Sequence, residues 1–422
     1  MKQFYFISLL VYFSILSVFG QTTKKVLFIG NSYTAVNNLP AIVSNMAIST
    51  GDVLIYDSNT PGGFRFLNHA ADASTLAKIN SNTWDYVVLQ AQSQEAAFYP
   101  AQMEVDLYPY ATSLSNSIRQ NNECAQPMFY MTWGRKNGDS NNCPYLPWTC
   151  TYTAMDDALR ASYLLMAENN NAELAPAAAV WRFLRENNST IELFSSDESH
   201  PSLEGSYAAA CAFYTMIYKK DPTLINWNPG LNTAIANTIK AAAKTIVYDQ
   251  MASWDFTVNP ASSNFSEVIN FGEVSFTNSS ATYDSSLWDF GDGTTSTASN
   301  PTHNYASSGF YTISLTTVKC GKSNTITKTI VIDSVLNAND FGLKNNIKIY
   351  PNPANDALTL TLNKNYSTVS VVLFDVLGTA VMKKDVENAS NLNLDITNLN
   401  TGTYLLKVIA DDMFFTSRIV KK

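Results

Sequence analysis

The feature that most constrains the fold of this 422-residue chain is a change in its hydrophobic pattern near residue 250. Before that point, short apolar runs such as residues 25–29 alternate with segments of helical periodicity, of which residues 203–218 are the most apolar. After Trp254, runs such as residues 311–318 alternate apolar and polar side chains between clusters of Ser, Asn and Gly. The first pattern predicts a parallel sheet with helices on both faces, and the second predicts antiparallel β-structure.

The same pattern predicts where the elements of the first part lie. The strands are expected at residues 25–29, 52–56, 85–89 and 128–132, and the helices at residues 40–49, 103–119, 154–168, 203–218 and 233–248. Pro109 predicts a break in the second helix, because proline in a helix interior removes a hydrogen bond.

The predicted boundaries divide the chain into five segments. Residues 1–20 begin with Lys2, continue as an apolar stretch and end with Val18 and Gly20 at the −3 and −1 positions, which is the pattern of a secretory signal peptide. An uncleaved membrane anchor is the alternative interpretation. The remaining segments are an α/β domain at 21–250, a β-sandwich at 253–333, a polar linker at 334–344 and a second β-sandwich at 345–422.

Composition excludes several classes of partner. The net charge is −8 and there is no long basic run, so nucleic acid and anionic membrane surfaces are not expected to bind. Beyond the signal peptide no stretch approaches the length of a membrane span, so none is expected in the mature chain. Export would allow disulfides to form. Cys143 and Cys150 are the favoured pair, with Cys124 as an alternative partner, and Cys211 is expected to be a buried thiol.

Two short motifs bring together residue types that serve nucleophilic catalysis. Ser32 follows the first predicted strand, at the edge where open parallel sheets place their active sites. A serine nucleophile needs a base, and the chain has only three histidines, His69, His200 and His303. His200 lies directly before a predicted helix, and Asp197 precedes it by three residues, close enough to orient the imidazole.

These motifs resemble those of a known family. The sequence GNSYT at residues 30–34 resembles block I of the SGNH (GDSL-like) hydrolases, whose usual form is G-D-S, and DESHP at residues 197–201 resembles their block V. The resemblance implies a flavodoxin-like, three-layer α/β/α domain with a parallel sheet. It also implies Ser32 as the nucleophile, His200 as the base and Asp197 as the residue that orients the base. Members of this family need neither a metal nor a cofactor.

The family's two middle blocks bind the oxyanion, and they are less clear in this sequence. Gly63, after the second strand, suits the backbone donor of block II. Block III usually reads G-x-N-D, whereas the third strand here leads into the sequence QAQSQE, so Gln92 is predicted to replace the family asparagine. Gln90 is the second choice. His69 lacks a carboxylate at the family spacing and is predicted to be a pocket-wall or packing residue.

The two C-terminal segments also resemble known modules. The sequence WDFGDG at residues 288–293, with PTHNY at 301–305, resembles a PKD domain, an immunoglobulin-like sandwich in which His303 belongs to a turn. Asp289 and Asp292 flank a glycine-rich turn and are predicted to cap it, with a cation site as the alternative. IYPNPA at 349–354 and LNTGTYLLKV at 399–408 resemble the C-terminal sorting domain of type IX secretion in Bacteroidetes.

Together these observations predict a secreted or cell-surface serine esterase. Its expected partners are the type IX secretion machinery and an ester substrate, with an acyl or acetyl ester on a polysaccharide as the first candidate and a lipid ester as another. The alternative is a catalytically weak or inactive SGNH-fold protein that binds glycans or mediates adhesion, because the block III asparagine is replaced.

Overall fold

The computed structural model describes residues 21–270, 272–333, 346–411 and 413–422. The predicted signal peptide and the predicted linker at 334–344 lie outside these residues. The chain divides into two compact units between Val258 and Asn259. The N-terminal unit has one hydrophobic core and the C-terminal unit has two, and the units are described separately below.

The N-terminal unit is built on a five-stranded parallel sheet with the strand order β2-β1-β3-β4-β5. Its strands are β1 (Thr23–Ile29), β2 (Val53–Asn59), β3 (Tyr86–Leu89), β4 (Gln126–Tyr130) and β5 (Glu173–Ala175). Its helices are α1 (Ser32–Ala35), α2 (Leu39–Ser49), α3 (Phe66–Ala71), α4 (Ala73–Asn80), α5 (Pro100–Asp106), α6 (Tyr108–Asn121), α7 (Tyr152–Asn169), α8 (Ala177–Asn187), α9 (Leu203–Tyr218) and α10 (Thr233–Ala243). This strand order is that of flavodoxin-like folds, so the predicted fold class is confirmed.

Burial explains why the strands read as continuous apolar runs. The last four residues of β1, Val26 to Ile29, have no exposed surface, and neither have Val87 to Leu89 in β3. Helices α2, α8 and α10 pack against α9, whereas α3, α4 and α7 pack against α6. These two groups of helices form layers that cover the sheet, so strand side chains on both faces are removed from water. Helix α9 is apolar all round because neighbours enclose it.

Three details differ from the sequence-based expectation. Strand β5 and helices α1, α4 and α8 were not predicted; β5, with three residues, is too short to show a period. The break in the predicted helix 103–119 falls at Leu107, and Pro109 lies in the first turn of α6, where a missing N–H is tolerated. The last predicted helix is α-helical to Ala243 and continues as a π-helical turn, Lys244–Tyr248.

The C-terminal unit contains only antiparallel sheets among its named strands. Its first half pairs a sheet of order β10-β7-β6 with one of order β12-β11-β8-β9, around a core that includes Phe276 and Trp288. The strands are β6 (Phe265–Asn270), β7 (Glu273–Asn278), β8 (Ser285–Asp289), β9 (Thr295–Ser296), β10 (Thr302–Asn304), β11 (Gly309–Lys319) and β12 (Lys322–Ile332).

The second half of this unit is a five-stranded sheet. Its strands are β13 (Ile347–Tyr350), β14 (Ala357–Phe374), β15 (Ala380–Asp395), β16 (Gly402–Ala410) and β17 (Met413–Lys421). The order is β13-β14-β16-β17, and β15 also pairs with β14. Leu358, Leu406 and Val408 lie fully buried in its separate core. The antiparallel β-structure predicted for the sequence after Trp254 is therefore present in both halves of this unit.

Candidate active site

Ser32 lies just beyond the carboxyl end of β1, beside the centre of the parallel sheet. It is the first residue of the short helix α1, and Asn31 caps that helix by accepting a hydrogen bond from the Tyr33 N–H at 3.2 Å. Gly30 makes the turn possible, because a Cβ at that position would lie 2.6 Å from Gln90 Oε1 and 2.7 Å from Thr34 Oγ1. The half-buried Ser32 side chain therefore lies at the edge of the sheet where the sequence predicts the nucleophile.

The structure brings Ser32, His200 and Asp197 into hydrogen-bond contact. Ser32 Oγ lies 2.8 Å from His200 Nε2, and His200 Nδ1 lies 2.5 Å from Asp197 Oδ2. With the Nδ1 proton directed at Asp197, Nε2 of a neutral imidazole is free to accept the Ser32 hydroxyl proton. This is the nucleophile, base and orienting-carboxylate geometry of acyl-transfer enzymes.

A compact turn holds the two catalytic candidates of the second motif. Asp197 Oδ1 accepts hydrogen bonds from the backbone N–H groups of Ser199 and His200 and from the Ser195 hydroxyl. Partial desolvation raises the pKa of Asp197, but the hydrogen bonds from His200, Ser195 and Ser199 outweigh it and leave that pKa well below its usual range. Glu198, between the two motif residues, takes a positive φ of 60°, which tightens the turn. Asp197 is therefore ionised at neutral pH.

An aromatic stack that sequence reasoning did not identify supports this turn. The Tyr33 ring stacks on Trp133 at 5.3 Å and meets the His200 ring edge-on at 5.0 Å, and Trp133 stacks on Trp181 at 3.5 Å. The Tyr33 hydroxyl shares a 2.6 Å hydrogen bond with Ser199 Oγ, and the Trp133 indole N–H donates to the Ser199 carbonyl. These three rings are far apart in sequence, so no motif could have pointed to them.

Residues 30–34, which carry the predicted nucleophile Ser32, are called the nucleophile turn below. Asn31 links this turn to the loops that carry the predicted oxyanion donors. Its side-chain Nδ2 donates to the Phe64 carbonyl at 3.0 Å, next to Gly63, and its Oδ1 accepts from Gln90 Nε2 at 2.9 Å. Gln90 Oε1 accepts from both the Asn31 N–H and the Thr34 hydroxyl at 2.9 Å. An aspartate, as in the usual G-D-S motif, could not donate to Phe64 when ionised, so the asparagine suits this network.

The predicted oxyanion residues have the following surroundings. Gly63 lies exposed in a turn with a φ of 72°. Gln92 Nε2 donates to Ser93 Oγ at 3.3 Å and to Gln94 Oε1 at 3.1 Å, and Gln92 Oε1 accepts from the Gln94 N–H. Gln90 is fully buried, and its Nε2 donates to Asn31 and to the Ala91 carbonyl. Within residues 21–270, the backbone N–H groups of Ser32 and Gly63 have no acceptor from the chain.

His69 is fully buried, and both of its ring nitrogens are hydrogen-bonded. Nε2 lies 2.9 Å from the Gly30 carbonyl oxygen, and Nδ1 lies 2.8 Å from Thr75 Oγ1. Its ring also meets Phe64 edge-on at 5.1 Å. The sequence-based interpretation as a packing residue omitted these two polar contacts, which place His69 directly behind the nucleophile turn.

The remaining predicted residues lie away from this site or serve other contacts. His303 Nε2 lies 2.7 Å from Asp292 Oδ2, and Asp292 Oδ1 accepts from the Thr294 N–H and hydroxyl. Asp289 Oδ1 accepts from the Gly291 N–H, so both carboxylates cap the glycine-rich turn. The favoured disulfide pair, Cys143 and Cys150, is bonded, and Cys211 is a buried thiol whose pKa is raised by burial.

Two family models match the C-terminal part of the chain, from residue 233 onward. Residues 233–333 match the PKD domain, and residues 348–422 match the secretion system C-terminal sorting domain. The chain carries a PKD domain and a C-terminal sorting domain. The sorting domain, which is that of type IX secretion, indicates export to the cell surface or secretion. None of the helices in the described ranges combines the length and hydrophobicity that a membrane span requires.

Two solved structures are similar to the N-terminal part of this chain. A protein from Slackia heliotrinireducens, described as an SGNH hydrolase, is 25% identical, covers 46% of this chain and 98% of its own length, and has a TM-score of 0.39. A DUF4886 family protein from Bacteroides uniformis ATCC 8492 is 18% identical, covers 56% of this chain and 97% of its own, and has a TM-score of 0.47.

One curated relative matches a short segment of the chain. A microbial collagenase from Vibrio alginolyticus is 45% identical over 75 residues, which make up 18% of this chain. The chain spans only 9% of the length of that collagenase. This likeness therefore concerns a single module of each protein.

Proposed function

We propose that the N-terminal unit is a serine hydrolase that cleaves carboxylic esters. The observation that carries this proposal is the continuous hydrogen-bonded chain from Ser32 Oγ through His200 to Asp197, with distances of 2.8 Å and 2.5 Å. These residues come from two loops, 168 positions apart between Ser32 and His200. Ordinary turn formation does not require such a contact, whereas activation of a hydroxyl nucleophile does.

The proposed reaction proceeds in two steps. His200 Nε2 accepts the Ser32 hydroxyl proton as Ser32 Oγ attacks the ester carbonyl carbon, and the same proton passes to the departing alcohol when the C–O bond breaks. Water then attacks the acyl-serine as His200 Nε2 accepts a water proton, and that proton passes to Ser32 Oγ when the acyl C–O bond breaks and the carboxylic acid leaves. Asp197, ionised throughout, holds the imidazole orientation and stabilises the imidazolium. The chemistry requires neither a metal nor a cofactor.

The oxyanion formed in each step needs hydrogen-bond donors that are directed at the former carbonyl oxygen. We assign the backbone N–H groups of Ser32 and Gly63 to this role, because neither has an acceptor within the described N-terminal unit. Gln92 is the proposed side-chain donor. Its amide now bonds to Ser93 and Gln94 at 3.3 Å and 3.1 Å, so it would have to exchange these long hydrogen bonds for the oxyanion.

The proposed substrate is an acyl ester, such as an acetyl ester, carried by an extracellular polysaccharide. Export through the sorting domain supports this choice, because it brings the enzyme to polymers outside the cell. A second candidate function is glycan binding without turnover. The observation that favours it is the engagement of the Gln92 amide by its own loop, which leaves the oxyanion site without a free side-chain donor.

Replacement of Ser32 tests the proposal. We expect Ser32→Ala to reduce hydrolysis of p-nitrophenyl acetate by at least about 10³-fold, since the nucleophile is lost, while the melting temperature stays nearly unchanged. Ser113→Ala, which removes an exposed hydroxyl in α6, is the matched control for a general effect of removing a serine. Wild-type turnover in Ser32→Ala would eliminate the nucleophile assignment. An inactive wild-type protein that still binds glycans would favour the second candidate.

A further inference from the structure

The peptide group between Gly30 and Asn31 is held from both sides by buried side chains. Its carbonyl oxygen, on Gly30, accepts a hydrogen bond from His69 Nε2 at 2.9 Å. Its N–H, on Asn31, donates to Gln90 Oε1 at 2.9 Å. Both His69 and Gln90 are fully buried, so water does not compete for these bonds. The next residue along the chain is Ser32, and the orientation of this peptide therefore sets the start of the nucleophile turn.

The contacts of His69 define its tautomer. A carbonyl oxygen can only accept, so Nε2 must carry a proton toward Gly30. Burial lowers the pKa of His69, against the opposing influence of the Gly30 carbonyl and of Asp72, so the ring is neutral near neutral pH. A neutral ring with a proton on Nε2 has an acceptor at Nδ1, and this nitrogen lies 2.8 Å from Thr75 Oγ1.

Residues at the end of β2 and the start of α4 support this arrangement. Asn59 Nδ2 donates to Thr75 Oγ1 at 2.7 Å and to Asp72 Oδ2 at 2.9 Å, and Asp72 Oδ2 also accepts the Thr75 N–H at 2.8 Å. The Thr75 hydroxyl also lies 2.9 Å from Asp72 Oδ2, so its single proton has two acceptors within reach, Asp72 Oδ2 and His69 Nδ1. The Gly30 N–H donates to the Asn59 carbonyl at 3.1 Å, which ties the same strand end to the turn.

We propose that His69 is a positioning residue for the nucleophile, acting with Gln90 to fix the Gly30–Asn31 peptide and so the approach of Ser32 to His200. This inference rests on the proposed role of Ser32. In this proposal His69 Nε2 donates to the Gly30 carbonyl at the start of the nucleophile turn, and Nδ1 contacts the Thr75 hydroxyl. Loss of the Nε2 donor would let the peptide rotate and lengthen the 2.8 Å contact between Ser32 and His200.

Two substitutions of His69 by side chains of similar length distinguish the contribution of the Nε2 hydrogen bond from the contribution of ring packing. His69→Gln keeps an N–H donor at about the reach of Nε2, whereas His69→Met has a similar length and no donor. We expect His69→Met to lower kcat for p-nitrophenyl acetate roughly tenfold to a hundredfold with KM changed less than about twofold, as small misplacements of reacting groups do. His69→Gln should recover most of this loss. Equal kcat values in the two variants would overturn the proposal.

Labelling of Ser32 by a fluorophosphonate, followed by intact mass, distinguishes the possible failures. A wild-type protein that neither labels nor hydrolyses the ester would refute the proposed function itself. A wild-type protein that labels, together with a His69→Met variant that labels at the same rate, would refute only the positioning role. If the His69 variants do not fold, Thr75→Val provides the test, because it removes the hydroxyl that contacts Nδ1 and holds the orientation of the ring. It should slow labelling about threefold or more, and an unchanged rate would overturn the proposal.

Discussion

The molecule contains two His–Asp pairs of similar geometry, one in each unit. His200 Nδ1 lies 2.5 Å from Asp197 Oδ2, and His303 Nε2 lies 2.7 Å from Asp292 Oδ2. They differ in what the rest of the ring meets. The second nitrogen of His200 faces Ser32 Oγ at 2.8 Å, whereas the His303 ring lies flat on Phe290, with its centroid 4.2 Å away.

This difference shows that a His–Asp contact is not by itself a sign of catalysis. In the N-terminal unit the pair lies in a loop beside the carboxyl end of the parallel sheet, where a second loop supplies the nucleophile. In the PKD domain the pair joins a glycine-rich turn to strand β10, and its carboxylate also caps the turn through Thr294. In our proposal the same two residue types serve acid–base chemistry in the N-terminal unit, whereas in the PKD domain they stabilise a turn.

Replacing each histidine in turn should produce the largest contrast between the two pairs. We expect His200→Ala to lower kcat for ester hydrolysis by about 10³- to 10⁶-fold, because Ser32 loses its base. His303→Ala should leave kcat within about twofold of wild type and reduce only the thermal stability of the C-terminal unit, through the lost Phe290 stacking. Steady-state kinetics and a calorimetric scan of each variant measure both effects. A large loss of kcat in His303→Ala would show that the pairs are not functionally distinct.

A smaller loss of kcat is expected when Gln92, in the loop that precedes α5, is replaced. Gln92→Ala should lower kcat by roughly two to three orders of magnitude with a smaller change in KM, as removal of one oxyanion donor does. Gln102→Ala, an exposed glutamine in α5, is the matched control and should behave as wild type. Should Gln92→Ala keep the wild-type kcat, the oxyanion would have to depend on backbone donors alone, and the resemblance of this loop to block III would have no catalytic meaning.

The smallest effect on hydrolysis is expected from removing the sorting domain. A chain that ends at Asp333 should hydrolyse p-nitrophenyl acetate at the wild-type rate in vitro, because Ser32, Asp197 and His200 all lie in the N-terminal unit. In its native host, however, this chain should remain in the periplasm. Cell fractionation with an esterase assay of each compartment measures the change, and full-length Ser32→Ala, detected by antibody, controls for export without activity. Normal amounts of the truncated chain at the surface would contradict the sorting role.

Much of the N-terminal fold can be predicted from local pattern. The positions of β1 to β4 and the bounds of α9 follow from apolar runs and helical periodicity, because full burial requires apolar side chains at nearly every position. Strand β5, with only three residues, has no such signal, and helix α8 follows it after a single residue, Pro176. Both are specified by the neighbouring β4 and α9, against which they pack.

Prediction was less complete around the candidate site. Ser32, Asp197 and His200 could be named because their motifs are short and local, and the structure places them in contact. Gln92 and Gly63 remain predictions. The contacts of Asn31 with Phe64 and Gln90, the aromatic stack under His200 and the bond from His69 to Gly30 could not be named, because each joins residues that are separated by dozens of positions. Hydrogen bonds of this kind leave no periodic or motif signal in the sequence.

The amino-acid sequence specifies which residue types are available: three histidines, one Gly-Asn-Ser turn after an apolar strand, and a chain whose helical pattern ends near residue 250. The motifs point to His200, but only the tertiary structure decides which ring nitrogen of each histidine meets which partner. His200 reaches Ser32 because parallel strands direct their carboxyl ends to one edge of the sheet, whereas buried His69 is turned toward the Gly30 carbonyl and His303 toward a surface turn. Composition sets the chemistry that is possible, and packing selects the atoms that carry it out, because a hydrogen bond depends on distance and direction.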